Sequence, residues 1–355
     1  MLFLCFVTAS AATNDSVPDK SSCIKKVFGN LYGFIKDFSR VDTNYIEPQH
    51  YIYEAMLQNT NTYEVYHFWN KTGQTISLAP EPSYKIGPYI GWRWIFFGYT
   101  IDFSHISDAN NKKELDLSLY SSQVGIDLFY RKTGNDYKIR KITLGGDVNT
   151  ENIRDLSFDG FNASIKGFNI YYIFNHKKFS YPAAFSQSTV QRRSCGSALL
   201  GIGYTKHSLS LDWNELNNLL KSRLGDNINY LKIDSSLLFS KVKYSDASVS
   251  GGYAYNWVFA RNCLLAASLS VALGYKHSTG DLEHEGFSFH DFSFNNFNID
   301  GVGRFGLVWN NTKWYIGTST ILHSYNYKKS QFSTNTIFGN LNFYIGFNFV
   351  RKKNN

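Results

Sequence analysis

The chain has few of the residues that mark well-known chemistries. Its 355 residues include four cysteines and six prolines, and no cysteines form a CxxC pair, which argues against a zinc or thiol-redox motif. No apolar run reaches about 18 residues, which excludes a transmembrane helix. A nucleotide-binding glycine loop and a nucleophile elbow are also absent. The usual signatures of a metalloenzyme, a hydrolase and a helical membrane protein are therefore missing.

Aromatic residues and strict alternation are what the chain does have. Aromatics make up 17% of the sequence, with 25 Tyr and 29 Phe. From Ile337 to Phe349 the odd positions are mostly apolar and the even positions mostly polar or small, so a strand there has one apolar face. The same pattern recurs in long segments joined by short turns. This predicts an all-β fold, an antiparallel up-and-down transmembrane β-barrel with a polar interior; a soluble two-sheet sandwich is the alternative.

Twelve segments fit this pattern. They are 62–70, 74–91, 93–105, 115–132, 136–146, 158–175, 193–212, 243–259, 262–277, 296–309, 313–327 and 335–349. An even number of strands puts both termini on the periplasmic side. The predicted periplasmic turns are then short (91–93, 132–136, 259–262 and 309–313), and the predicted outer loops are mostly long (106–114, 146–157, 213–242 and 278–295). A ten-stranded barrel with extra hairpins outside the bilayer is the alternative.

In two of these segments the apolar positions change parity. The apolar face switches from odd to even positions around Gly167-Phe168, and from even to odd positions around Thr205-Lys206. A one-residue β-bulge restores the facing after such a switch. The sequence therefore predicts a bulge at each site.

The remaining domain boundaries follow from composition. Residues 1–11 have an apolar stretch that ends in Ala9-Ser10-Ala11 and predict a secretory signal peptide. Residues 12–60 predict a periplasmic N-terminal segment with a short amphipathic helix, because apolar residues between Ile24 and Phe38 fall at helical spacing. Residues 61–350 form the predicted barrel, and 351–355 are a C-terminal tail.

The net charge of +8 raises the question of an acidic partner. The basic residues are scattered and no nucleic-acid-binding motif is present, so nucleic acid is not expected. Anionic head groups of outer-membrane lipid and lipopolysaccharide are the predicted partners of the basic loops. A solvated surface without a specific partner is the alternative.

Two runs carry a family resemblance. Residues 83–102 (SYKIGPYIGWRWIFFGYTID) and 174–194 (FNHKKFSYPAAFSQSTVQRRS) resemble domain-of-unknown-function family 4421, a secreted family of Bacteroidota taken to form outer-membrane barrels. The resemblance covers nearly the whole mature chain. It implies a bacterial outer-membrane location and a barrel architecture, and it implies no activity.

The segment His176–Arg193 is the most unusual periplasmic connection. Its candidate residues combine hydrogen-bonding capacity with basic charge: His176, Lys177, Lys178, Ser180, Tyr181, Pro182, Gln187, Gln191, Arg192 and Arg193. The segment is predicted to fold into the lumen as a plug; a partner-binding surface for a periplasmic or membrane protein and an ordinary ordered loop are the alternatives. No carboxylate within it is available to orient the histidine, so catalysis is not expected.

Alternation also assigns the ionisable residues of the lumen. The predicted set is Asp102, Asp127, Lys166, Asp246, Asp300 and Arg304. Opposed charges across a barrel form either a salt-bridged interior or a narrow pore, and the closed interior is favoured.

The acidic and histidine-containing loop from His277 to Asp291 lacks a fixed ligand spacing, so no metal site is predicted.

These observations together predict a non-enzymatic, plugged outer-membrane barrel with a structural, adaptor or envelope-assembly role and no cofactor. The alternatives are a narrow pore for small solutes and, third, a barrel enzyme that modifies lipids.

Overall fold

The computed structural model describes residues 41–92, 95–98, 101–102, 112–134, 136–145, 148–224, 237, 241–280, 296–328 and 332–352. The predicted signal peptide, the predicted N-terminal helix and most of the acidic loop 278–291 lie outside the described residues. The strands are β1 (Ile46–Pro48), β2 (Tyr51–Asn70), β3 (Thr75–Pro80), β4 (Ser83–Trp92), β5 (Ile95–Gly98), β6 (Ile101–Asp102), β7 (Lys113–Tyr120), β8 (Val124–Lys132), β9 (Tyr137–Thr143), β10 (Leu156–Ser157), β11 (Phe161–Ile173), β12 (Thr189–Gln191), β13 (Cys195–Leu211), β14 (Lys241–Ala260), β15 (Cys263–Gly280), β16 (Phe297–Asn310), β17 (Trp314–Lys328) and β18 (Phe332–Arg351). The α-helices are α1 (Pro182–Phe185) and α2 (Trp213–Leu224).

All strands except β1 and β12 belong to one antiparallel sheet. β3 and β4 pair with successive stretches of β2 and act as one interrupted strand, and β5 and β6 both pair with β4 in the same way. The barrel wall then runs β5/β6, β3/β4, β2, β18, β17, β16, β15, β14, β13, β11, β8, β7. This is an up-and-down wall of about twelve strands, as predicted.

The strand count agrees with the prediction because two errors compensate. The predicted segment 115–132 is two strands, β7 and β8, joined by a turn at 121–123. In this turn the Ser121 N–H donates to Val124 O at 2.9 Å. The predicted segment 136–146 corresponds to β9, which pairs with β3 and β10 and adds to the sheet beside the wall. The first strand also begins earlier than predicted, so residues 51–60 belong to β2 and not to the N-terminal segment.

The two ends of the barrel differ. At the turn end, Tyr51 begins β2 and Arg351 ends β18; at the loop end, Asn70 ends β2 and Lys132 ends β8. The predicted periplasmic turn 132–136 therefore lies at the loop end. There β9, β10 and α2 pack over an apolar core that includes Phe68, Ile139, Phe161, Leu211 and Leu216.

The wall is apolar outside and polar inside. On β14 the outward side chains Val249, Tyr253 and Trp257 are exposed, whereas the inward Asp246 and Asn256 are buried. β15 and β18 show the same distribution, with exposed Leu269, Val271, Phe343 and Ile345. A soluble sandwich buries its apolar faces, whereas a transmembrane β-barrel presents them to lipid. The fold is therefore a transmembrane β-barrel.

Both predicted bulges are wrong. β11 pairs with β8 and with β13 in a continuous register, and so does β13 with β14. The odd positions of β11 and β13 face inward along their whole length, including apolar Ile165 and Leu209 near the loop end. The apolar side chains change from one parity to the other because, near the loop end, the barrel interior is apolar and the outer surface is polar. Lys166, predicted to face the lumen, consequently lies on the outer surface.

Searched over the described residues, the chain has no helix that is both long and apolar enough to cross a membrane.

Candidate functional site

The connection between β11 and β13 fills the turn end of the barrel. We call residues 174–194 the turn-end cap. Its helix α1 places Ala183 and Ala184 against inward-facing Leu264, Val308 and Tyr344. Phe179 and Tyr181 pack against the inner faces of β11, β13 and β14. The short helix begins at Pro182, whose fixed φ and missing N–H suit a first helical position.

Buried amides fix the cap to the wall. Asn256 Nδ2 on β14 donates to Ser180 O at 2.8 Å and to Gln191 Oε1 at 3.1 Å. On the opposite side, Asn310 Nδ2 donates to Gln187 Oε1 at 3.1 Å, and Gln187 Nε2 donates to Tyr344 Oη at 3.0 Å. These groups are buried and hydrogen-bonded to one another, so they hold the cap in one position against the wall.

The outer side of the cap is basic. Lys177, Lys178 and Arg193 are exposed, and Lys178 Nζ and the Arg193 guanidinium lie 5.0 and 5.7 Å from the Tyr45 ring centroid. β12 of the cap pairs with β1, and the Arg192 N–H donates to Tyr45 O at 2.7 Å.

Glu47 and Arg192 join the two segments of this outer layer. The Arg192 guanidinium donates to the Glu47 carboxylate. Partial burial raises the pKa of Glu47, but hydrogen bonds from His50 and Arg192 outweigh it and hold that pKa below its usual range. The structure thus divides the predicted plug residues: Ser180, Tyr181, Pro182, Gln187 and Gln191 are buried, and His176, Lys177, Lys178, Arg192 and Arg193 lie on the outer side.

An ion pair crosses the lumen above the cap. Arg304 on β16 donates through Nη2 to Asp127 Oδ2 on β8, and both side chains are almost fully buried. Ser118 Oγ also donates to Asp127 Oδ1, at 2.7 Å. The Arg304 guanidinium lies 4.8 Å from the Tyr171 ring centroid. Because β8 and β16 are five positions apart in the wall, the pair joins opposite sides of the barrel.

A second charged cluster surrounds Arg131 on β8. Its Nη2 lies 2.5 Å from Asp116, and its Nη1 lies 3.8 Å from Glu64 and 3.9 Å from Glu114. Glu114 also pairs with Lys85 and, at 2.8 Å, with Lys112. The three acids thus face three bases, so the cluster is close to neutral.

Aromatic rings and a third ion pair occupy the rest of this level. Phe129 on β8 contacts Phe338 on β18, with ring centroids 5.4 Å apart. Lys276 Nζ lies 2.9 Å from Asp300 Oδ2 and 3.6 Å from Asp246 Oδ2. An aromatic contact between the non-neighbouring strands β8 and β18, and ion pairs between the neighbouring strands β14, β15 and β16, therefore fill the middle of the barrel.

Most of the predicted lumen residues do face the interior. Asp127, Asp246, Asp300 and Arg304 are buried there, and Asp102 accepts a hydrogen bond from Ser83 Oγ at 2.7 Å. Sequence reasoning missed Glu64, Glu114, Arg131 and Lys276. Lys276 could have been predicted to face the lumen, because it lies on the polar face of its strand. Arg131 was missed because the single predicted strand 115–132 is two strands joined by a turn.

A polar cavity of about 290 Å³ remains between the cap and the Arg131 cluster. Amide and hydroxyl groups dominate its lining, with tyrosines at one side and Lys85 and Glu114 at the other: Gln58, Thr60, Thr62, Tyr89, Ser118, Tyr120, Gln187, Ser319, Asn340, Asn342 and Tyr344. Gln58 Nε2 donates to Asn342 Oδ1 at 3.3 Å, and Asn342 Nδ2 donates to Asn340 Oδ1 at 3.2 Å. The cavity can therefore hold water or one small polar solute. Among the residues the structure describes, no group of three or more His, Cys, Asp or Glu is placed to hold a metal ion.

Comparison with solved structures finds bacterial membrane barrels. The chain is similar to the outer membrane protease OmpT of Escherichia coli (7% identity, 84% of this chain and 97% of that one, TM-score 0.32). It is also similar to the translocator domain of the autotransporter NalP of Neisseria meningitidis (11%, 93% and 98%, 0.28) and to the toluene transporter TodX of P. putida (10%, 85% and 91%, 0.24). These identities and TM-scores support no transfer of activity. No curated protein matches.

The apolar outer wall and polar interior place the chain in a membrane. One family matches residues 40–349, which is nearly the whole described barrel. The chain belongs to the family described as domain of unknown function (DUF4421).

Proposed function

We propose that this protein is a closed, non-enzymatic outer-membrane barrel that acts as an adaptor for another envelope protein. In this proposal the turn end faces the periplasm and the cap is a permanent plug. The basic outer side of the cap is then the surface that meets the partner.

The contact that carries the proposal is the Arg304–Asp127 pair. It spans the lumen directly between opposite walls, and a permeating solute would have to break it. Removing one partner of a buried ion pair costs roughly 3–5 kcal/mol because it leaves an unpaired buried charge, and separating the two side chains leaves both charges unpaired. The cap below the pair and the apolar core at the loop end add two further barriers.

Planar-bilayer recordings test the closed lumen. The purified wild-type barrel is expected to give no steady open channel. The variant R304A/Y181A, which removes the ion pair and the aromatic ring beneath it, is expected to give brief openings and not a steady channel, because the apolar core at the loop end is unchanged. K178A/R193A, which changes only the outer side of the cap, is the matched control and should stay closed. A steady wild-type conductance would overturn the plug.

The adaptor role predicts a stoichiometric periplasmic or membrane partner. The exposed cap cations Lys177, Lys178 and Arg193 favour a partner with an acidic surface. Detergent extracts cross-linked and purified through the barrel should yield such a partner with wild-type protein. The charge-reversed K178E/R193E should lose it, and Q187A, altered on the buried side of the cap, should retain it if its heat-modifiable mobility is unchanged. Equal recovery with all three proteins would refute a cap-mediated interaction.

The cavity favours a second candidate, a narrow path for small polar solutes. In that case a steady conductance should be present in the wild type and disappear in S319W, which fills the cavity.

The lipid-modifying alternative has a separate test. Unchanged lipid A masses after deletion and after overexpression would exclude it.

A further inference from the structure

Five lysines line one side of the outer wall near the loop end. Lys113, Lys132, Lys166, Lys206 and Lys243 lie on β7, β8, β11, β13 and β14, which are consecutive in the wall, and all five are exposed. We call them the lysine row. Two pairs in it are directly opposite across neighbouring strands, Lys113 with Lys132 and Lys166 with Lys206.

Direct opposition of like charges is unfavourable without a counter-charge. Side chains opposite each other in an antiparallel pair have Cβ atoms about 4.5–5.5 Å apart, and two cations there destabilise the sheet. Within the described part of the chain, the lysines that form ion pairs with acids are others, namely Lys85, Lys112, Lys138 and Lys276. The lysine row thus presents uncompensated positive charge.

The row lies where the outward side chains change from apolar to polar. On the same face of each strand, towards the turn end, an apolar side chain is exposed: Leu115, Leu128, Ile170, Ile202 and Val249. Tyr204 is next to Lys206, whose Nζ lies 5.8 Å from the ring centroid. Because lipid chains cover the apolar band, the row is at the height of the lipid head groups.

The opposite side of the barrel has much less of this charge. β2, β16 and β18 contain no lysine, and β17 contains one, Lys328. On β17 and β18 the corresponding outward side chains include Asn326 and Asn335, joined by a hydrogen bond of 2.7 Å. The charge is therefore a one-sided patch and not a general girdle.

We infer that the lysine row binds the phosphate of a lipid head group in the leaflet at the loop end. Two opposed ammonium groups, such as those of Lys166 and Lys206, can converge on one phosphate, which removes their repulsion. Ser164, Ser208 and Ser245 lie between the lysines in a groove at the surface and supply hydroxyl donors. The inference does not depend on whether the lumen is plugged.

Native mass spectrometry of the purified full-length barrel tests this site. The probe is diphosphoryl lipid A in neutral detergent, with dephosphorylated lipid A as the comparison. The wild type should retain the phosphorylated lipid and not the dephosphorylated one. At roughly fivefold per lysine, K166Q/K206Q should weaken retention about 25-fold.

Three controls complete the design. K166R/K206R keeps the charge and should bind as the wild type does, and K328Q removes an outward lysine from β17 and should have no effect. Millimolar inorganic phosphate should not displace the lipid. Unchanged binding by K166Q/K206Q, equal binding of the dephosphorylated lipid, or displacement by free phosphate would each overturn the proposal. Should the double variant fold poorly, K206Q alone should show the fivefold loss.

Discussion

Removing the positive end of the lumen-spanning ion pair should destabilise the barrel far more than removing a surface lysine. R304Q leaves the Asp127 carboxylate in the interior with one hydrogen bond, from Ser118 Oγ at 2.7 Å. The two paired side chains are only 2% and 4% exposed, so solvent cannot replace the lost partner. Breaking such a pair on one side costs roughly 3–5 kcal/mol.

A double-mutant cycle separates the ion pair from simple loss of packing. D127N alone should also be costly, because it leaves the Arg304 cation buried. In D127N/R304Q both charges are gone, so the double variant should be less destabilised than the sum of the single variants. We expect a coupling free energy of roughly 2–3 kcal/mol.

The measurement is urea unfolding of the barrel in phosphatidylcholine vesicles, followed by tryptophan fluorescence. K138Q is the control, because Lys138 pairs with Glu81 at a site where the side chains are 29% and 41% exposed and should contribute at most about 1 kcal/mol. A loss below 1 kcal/mol for R304Q, or strictly additive single variants, would refute a structural role for the pair across the lumen.

Two further predictions concern single contacts. A Cβ at Gly125 would lie 2.1 Å from the Tyr171 ring, whereas nothing lies within 4 Å at Gly251, so G125A should destabilise the barrel by roughly 1–3 kcal/mol and G251A should not; equal urea midpoints would contradict this. The lowered pKa of Glu47 means that its contribution to stability is fully present above the pKa of an unfolded glutamate, and is lost as the pH falls below that value through the lower folded pKa. Hydrogen-exchange protection of the Arg192 amide should fall in that range in the wild type and be low at every pH in E47Q, and a wild-type protection independent of pH would argue against the pairing.

The wall could be predicted from the sequence because each strand has its own local signature. Alternation of period two identified β14 to β18 with ends displaced by a few residues, as for 335–349 against Phe332–Arg351. It also gave the correct face for Asp127 and Arg304. The turn at Ser121 escaped because Ser-Ser-Gln contains neither glycine nor proline, the strongest markers of a break between strands.

The lumen contacts could not be predicted, because they depend on how the wall curls. Arg304 and Asp127 are 177 residues apart, and which inward residues meet across a barrel depends on strand number and stagger. Alternation supplies the facing of a residue but not its height. The turn-end cap shows the same limit, since composition predicted a plug in the lumen without dividing its residues into a buried and an exposed side.

The misassigned bulges give a direct test of where the membrane ends. A change of parity in a barrel strand has two readings: a bulge that rotates the strand, or an unbroken strand that leaves the hydrocarbon. With a bulge at Thr205-Lys206, Leu209 would face outward; in the continuous register of β13, Ser208 faces outward and Leu209 packs inside. In a background with the native cysteines replaced, S208C should therefore react rapidly with a membrane-impermeant maleimide on reconstituted vesicles, and L209C should not. I202C, on the same outward face nearer the turn end, should be protected by lipid. Rapid labelling of L209C together with protection of S208C would restore the bulge and move the lysine row away from the head groups.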